Sequence, residues 1–257
     1  MEYLFSESAS KRLEAFLRPG ILCAFDFDGT LAPLVARPEE AVLPPDVSVR
    51  LRLLATRAPV GIVTGRSVAD ARRRLGFEPH FVIGNHGMEG LPDGATREAE
   101  YERLCSAWKE SLRAALSDTG KFDPCIELED KRLSLSLHYR LTADPLETES
   151  RLRSLLDKLS PAPRIVGGKF VLNLLPEGAP DKGSALTELL RSAAAPGAIY
   201  VGDDVTDEDV FRLKRDDILS VHIGKNMRSA ADYFLQDQEE ILKFLVFLNE
   251  RMPSQEQ

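Results

Sequence analysis

Ile21-Leu22-Cys23-Ala24-Phe25-Asp26-Phe27-Asp28-Gly29-Thr30 is the stretch whose reading decides the fold. Its first five residues are apolar without interruption, the pattern of a strand covered on both faces within a parallel sheet. Two carboxylates follow at once, separated by one residue. Residues two apart in an extended segment point the same way, so Asp26 and Asp28 project together while Phe27 goes elsewhere. Side by side they repel, a cost that a divalent cation between them relieves. Gly29 lets the backbone leave the strand sharply.

Working outward, short apolar runs recur at 60–63, 81–83, 198–201 and 218–221. Helix-like stretches at 47–56 and 68–75 lie between the first of them, and an amphipathic segment at 8–17 is stopped by Arg18-Pro19-Gly20. Strand and helix alternate, which predicts an α/β fold: a doubly wound, Rossmann-like parallel sheet with right-handed crossovers. The middle of the chain breaks this rhythm, with helices over 98–116 and 144–159 and strands over 126–129, 133–139, 164–166 and 170–175. Strict alternation in Leu133-Ser134-Leu135-Ser136-Leu137-His138-Tyr139-Arg140 gives a sheet with one apolar and one wet face. The expected organisation is a core of residues 1–91 and 176–257 with an inserted α+β cap of residues 92–175. The linkers at Pro92-Asp93-Gly94 and around Pro176 to Pro180 are the expected hinges of cap closure.

Forty-one acidic against 33 basic side chains give a net charge of -8, which argues against nucleic acid or an anionic membrane surface as partner. The three cysteines, Cys23, Cys105 and Cys125, show no metal-ligand spacing and read as reduced core thiols. The first residues carry neither a basic leader nor a long apolar stretch, so a soluble cytoplasmic enzyme is expected, acting as a monomer.

A second acidic cluster, Gly202-Asp203-Asp204-Val205-Thr206-Asp207-Glu208-Asp209, again follows a buried strand. Its glycine and glutamate do not fit an EF-hand loop, and the helix dipole accounts for Glu208 and Asp209. Asp203 and Asp207 can join Asp26 and Asp28 around a magnesium ion. Between the clusters stand Thr64-Gly65-Arg66 and Asp181-Lys182-Gly183, each at a strand end or helix start. A hydroxyl and free N–H groups there can hold phosphate oxygens, and Lys182 can offset carboxylate charge. Asn85 and His86, in Gly84-Asn85-His86-Gly87, leave the third strand toward the same end of the sheet, so His86 reads equally as a substrate contact or a turn residue. His138 and Arg140 read as part of a solvated face, Lys131 as a hairpin residue, and Arg72-Arg73-Arg74 as an exposed basic helix end.

The four elements together resemble the motifs of the haloacid dehalogenase superfamily. The resemblance implies that Asp26 is the nucleophile and Asp28 the general acid/base. It implies further that Thr64 and Lys182 hold the phosphoryl group, and that Asp26, the backbone carbonyl of Asp28 and Asp203 bind magnesium. Asp28 matters here, because dehalogenases of that superfamily lack the second carboxylate. The segments DFDGTLAPL, VTGR, GNHGME, LSLSLHYR, DKGSAL and GDDVTDEDVF are more specifically similar to the trehalose-6-phosphate phosphatase family, nearly end to end. This implies a small-molecule sugar phosphate as substrate, and Gly65, Arg66, Asn85, His86, Lys131, His138, Arg140 and Asn173 are the candidate residues for contacting it. One departure stands out. Where the family usually has Leu-Glu-x-Arg-Pro, this chain has Leu172-Asn173-Leu174-Leu175-Pro176. Asn173 still donates and accepts hydrogen bonds but carries no charge. Two alternatives stay open: a phosphatase for a related sugar phosphate such as glucosylglycerol phosphate or sucrose phosphate, and a catalytically silent sugar-phosphate-binding protein.

Overall fold

The apolar runs form an all-parallel sheet because each has two faces to bury. In the computed structural model, which describes residues 1–35, 37–91 and 95–253, the strand β1 (Glu2–Tyr3) precedes the helix α1 (Glu7–Phe16). Then follow β2 (Leu22–Phe25), α2 (Pro45–Ala55), β3 (Val60–Val63), α3 (Val68–Leu75) and β4 (Phe81–Ile83). The chain next enters α4 (Ala95–Leu116), β5 (Glu127–Asp130), β6 (Leu135–His138), α5 (Pro145–Leu156), β7 (Arg164–Gly168) and β8 (Val171–Leu175). It closes with α6 (Lys182–Ser192), β9 (Ala198–Gly202), α7 (Glu208–Phe211), β10 (Ile218–Ile223), β11 (Tyr233–Leu235) and α8 (Glu240–Arg251). Two compact units result: Met1–Pro92 with Pro180–Gln257, and Asp93–Ala179.

In the first unit seven parallel strands take the order β1-β11-β10-β9-β2-β3-β4. Alternate residues of β2 go to opposite layers. Cys23 and Phe25 pack with Leu13 of α1, Leu51 and Leu54 of α2 and Phe244 of α8. Leu22 and Ala24 pack with Leu186 and Leu189 of α6 and Phe211 of α7. The strand order reverses between β2 and β9, and their carboxyl ends open a crevice there, the usual site in a doubly wound sheet. The short outer strands β1 and β11 escape sequence reading, since two or three residues are too few to show a period. Helix α3 starts at Ser67, whose hydroxyl accepts from the Asp70 amide at 3.2 Å, and ends at Gly76 with φ +64°.

The second unit is an antiparallel sheet of order β5-β6-β8-β7 with α4 and α5. Leu135, Leu137, Tyr139, Leu172 and Leu174 pack with Trp108 and Leu112 of α4 and Leu152 and Leu156 of α5, as the alternation predicts. The other face is not plainly wet: Ser134, Ser136 and Asn173 are all buried. Ser136 stands opposite Asn173 in register, so each satisfies the other's polar atoms. Cys23 and Cys105 are buried, but Cys125 is exposed, beside Pro124 in the turn before β5. The hinge expected at Pro92-Asp93-Gly94 lies outside the described residues. Among those residues no helix is long and apolar enough to cross a membrane.

Phe244 is fully buried between α8 and the sheet. Phe244→Ala is expected to cost about 3–5 kcal/mol of unfolding free energy by cavity formation. Urea denaturation followed by circular dichroism measures it.

Candidate active site

Asp26 follows β2, and its side chain is only 6% exposed. Lys182 opens α6 behind a capping box in which Asp181 accepts from the Ser184 amide, and this fixes the first turn of the helix. The ammonium is buried and donates to Asp26 Oδ1 at 2.8 Å and to Asp207 Oδ1 at 2.8 Å. Asp207 is saturated: its Oδ1 also accepts from the Tyr200 hydroxyl at 2.6 Å, and its Oδ2 accepts from the Asp203 and Asp204 amides, each at 2.9 Å. Asp203 follows β9 and accepts a hydrogen bond from the Thr30 hydroxyl at 3.2 Å. Two glycines make room for this crowding. Gly29, at φ +81°, has Asp203 where a Cβ would lie, and Gly202 has Asp207 there.

Asp26, Asp203 and Asp207 offer oxygen atoms all within 4.8 Å of one another. Three carboxylates against one ammonium leave two negative charges uncompensated, which suits a hard divalent cation on oxygen donors. Burial is the first cause that raises Asp26, to about 7, against the pull of Lys182; Asp207 and Asp28 add to the rise. Asp203 is raised to about 9, by burial and then by Asp26 and Asp207. Lys182 is raised despite its burial, because Asp207 and Asp26 flank it. The donor set fits magnesium. All four lone-pair directions of Asp207 meet protein donors, by which it holds Lys182 and the 203–204 backbone in place.

Arg66 is held between two acidic residues. Its guanidinium grips Asp28 through two hydrogen bonds, Nε to Oδ2 at 2.7 Å and Nη2 to Oδ1 at 2.6 Å, and lies 5.4 Å over the Phe27 ring. Nη1 donates to Asp70 Oδ2 at 2.7 Å. Asp70 also accepts from Arg73 and Arg74, and Arg74 donates to the Glu39 and Ala41 carbonyls. The run Arg72-Arg73-Arg74 is therefore not simply an exposed helix end: Arg74 is 16% exposed and tied inward. Thr64 is buried, its hydroxyl accepting from the Arg66 amide at 3.2 Å.

Asn85 and His86 take positive φ, 50° and 59°, in a turn bonded to the loop after β3 through Asn85 N to Arg66 O at 2.7 Å and His86 N to Thr64 O at 3.0 Å. The His86 ring lies against Gly65, where any side chain would collide with it. Asn85 Nδ2 donates to Glu89, which also takes the Val68 amide, so Asn85 braces the turn. Asp26, Asp28, Thr64, Gly65, Arg66, Asn85, His86, Lys182, Asp203 and Asp207 all belong to the first unit.

The remaining expected residues belong to the second unit. There Lys131 and His138 converge on Glu129, at 3.6 and 2.8 Å. This takes His138 out of a merely solvated face and gives Lys131 an ion pair beyond its hairpin. Arg140 goes elsewhere, to the Lys169 carbonyl at 3.3 Å. Asn173 accepts from Ser136 at 2.7 Å and donates to the Val166 carbonyl at 3.3 Å, while Leu175 is buried. Sequence reading missed Tyr200 and Asp70. A phenol inside the otherwise aliphatic run Ala198 to Val201 was the available signal, because a buried tyrosine hydroxyl needs a partner. For Asp70 no such signal exists, as acids are common in the first turn of a helix.

A Rossmann-like sheet with paired aspartates after one strand, a lysine at a helix start and a second acidic cluster defines a haloacid-dehalogenase-fold protein. Residues 24–239 match the trehalose-phosphatase family, and the chain belongs to that family. A trehalose-phosphate phosphatase of Mycobacterium bovis is 34% identical over 73% of this chain and 49% of its own length. A Mycobacterium tuberculosis protein described as an uncharacterized glycosyl hydrolase is 33% identical over 93% of this chain and 19% of its own length. The chain thus spans half or less of these two relatives. Among solved structures, a trehalose-6-phosphate phosphatase related protein superposes with a TM-score of 0.74 at 27% identity, covering 89% of this chain and 97% of the other.

Burial opposes ionisation of Asp70, but Arg74 and Arg66 prevail and hold it at about 2. Its stabilisation is therefore present above about pH 4 and lost as the pH falls through 2. Asp70→Asn is expected to lower stability by about 1–2 kcal/mol at pH 7, with the gap closing toward pH 2. Thermal melts across pH check this, and a gap independent of pH would refute it.

Proposed function

We propose that the chain is a magnesium-dependent phosphatase that hydrolyses trehalose 6-phosphate to trehalose and phosphate through a phosphorylated Asp26. The observation that carries the reading is the buried Asp26–Lys182–Asp207 chain beside Asp203, with Asp28 two residues from the nucleophile. Lys182 takes one oxygen of Asp26 and leaves the other to attack phosphorus. As the bond from phosphorus to the sugar oxygen breaks, Asp28 gives that oxygen a proton. Asp28 then takes a proton from water, whose oxygen attacks the aspartyl phosphate, and the carboxylate of Asp26 returns as phosphate leaves.

Asp26, Asp203 and the backbone carbonyl of Asp28 would hold magnesium, which offsets charge between the anionic nucleophile and the anionic phosphate. Lys182 supplies fixed positive charge at the same place. Arg66 aims Asp28 by its two parallel hydrogen bonds. The hydroxyl of Thr64 would hold a phosphate oxygen. The Ser136–Asn173 pair favours a second reading of the substrate. A neutral amide satisfied by its own sheet is a different grip from a glutamate, which keeps glucosylglycerol phosphate and sucrose phosphate in view as sugar phosphates for this site.

Phosphate release from trehalose 6-phosphate, glucose 6-phosphate, sucrose 6-phosphate and glucosylglycerol phosphate tests the proposal directly. Preference for trehalose 6-phosphate, loss of turnover on chelation and its return with magnesium are expected. Asp26→Asn is expected to fold normally and to lose about a thousandfold or more in kcat. Preference for another member of the panel keeps the chemistry and replaces the substrate, whereas near wild-type turnover by Asp26→Asn overturns the mechanism.

A further inference from the structure

Tyr200 sits in the middle of β9, in register with Ala24 of β2 and Ser220 of β10, far enough from the strand end that its backbone takes no part in the site. Its side chain is fully buried and its ring meets Phe211 edge-on at 6.0 Å between centroids. Packing alone would be served by phenylalanine. The hydroxyl instead donates to Asp207 Oδ1 at 2.6 Å, the same oxygen that accepts from Lys182 Nζ at 2.8 Å. Nζ in turn donates to Asp26 Oδ1 at 2.8 Å. The phenol is thus the outer end of a chain of hydrogen bonds that runs Tyr200, Asp207, Lys182, Asp26, every member of it buried.

The geometry points to Tyr200 as a positioning residue: by fixing Asp207 Oδ1 it sets where Lys182 stands against the nucleophile. Two amides lock the other oxygen of Asp207, from Asp203 and Asp204. With the phenol in place, the carboxylate is held at both ends and cannot rotate to follow the lysine. Without it, Oδ1 retains only the ammonium, and a single lysine on a flexible stem does not define a carboxylate orientation. The buried carboxylate would then recruit water or turn, and Lys182 would follow it away from Asp26. The contact acts on charge placement and not on substrate binding, so it should be felt in turnover and not in KM.

This inference rests on the phosphatase reading for its kinetic arm only. Tyr200→Phe keeps the ring and removes the hydroxyl. Tyr139→Phe is a control, since the Tyr139 hydroxyl likewise donates to a carboxylate, Glu149 at 2.7 Å, in the other unit. Both variants are expected to melt a few degrees lower. Only Tyr200→Phe is expected to lower kcat, by about tenfold, with KM within about twofold of wild type. The lysine ammonium resonance of Lys182, followed in the substrate-free protein by lysine-selective NMR, is expected to shift in Tyr200→Phe and to stay in place in Tyr139→Phe. That arm needs no turnover, so a wrong substrate silences the kinetics and leaves the spectral result standing. An unmoved Lys182 resonance in Tyr200→Phe, or a full kcat in a variant whose melting point has dropped, overturns the inference and leaves Tyr200 as packing.

Discussion

One buried ammonium holds the site together. Lys182 is 2% exposed and lies between two carboxylates that are themselves buried, Asp26 at 6% and Asp207 at 0%. Burying any one of these charges alone costs several kcal/mol, and only their mutual contact makes the arrangement tolerable. The consequence is a strict mutual dependence: the lysine fixes Asp26, the second carboxylate fixes the lysine, and both need the parallel strands to end where they do. The arrangement still carries excess negative charge with Asp203 included, and in that sense it is built to receive a cation.

The sheet makes this possible by bringing segments from distant parts of the chain side by side. β2 and β9 are neighbours in register, so the residues that follow them, Asp26 and Asp203, emerge together at the point where the strand order reverses. Close approach then depends on missing side chains. Gly29 admits the Asp203 carboxylate, Gly202 admits Asp207 and Gly65 admits the His86 ring. In each case the space of a Cβ is already taken by a functional group, which is why a site this dense needs glycine at three positions.

What could be read from the sequence was what is local. The apolar runs and the alternation in 133–140 report burial on two faces or on one, and the core residues of both units follow from them. Asp26, Asp28, Lys182 and Asp203 stand out in the sequence as candidates because each lies at an element boundary where its chemistry has no local structural use. The partners could not. That Arg66 would take Asp28, that Asn173 would take Ser136 and that Tyr200 would take Asp207 are decided by pairings across 38, 37 and 7 residues of chain. Two of these need the sheet register, which no periodicity supplies, and the third needs the turn at 205–207 to bring Asp207 back over its own strand.

The two aspartates of the first motif, though only two residues apart, are held by opposite strategies. Asp26 is locked inside the sheet end by a buried lysine. Asp28 is held by an arginine at the rim, with 35% of its side chain exposed. A fixed position and a fixed charge suit the nucleophilic role proposed for Asp26, because a nucleophile must meet phosphorus along one line. An acid/base group must exchange protons with a leaving oxygen and then with water, and a fully buried one would have no route for either. The bidentate arginine fixes the direction of the Asp28 carboxylate through its planar fork. Asp70 and Arg74 extend that grip to the Glu39 and Ala41 carbonyls, so the aim of Asp28 is anchored on helix α3 and not on the strand that carries the nucleophile. Asp26 and Asp28 are thus held by separate partners, Lys182 for the one and Arg66 for the other.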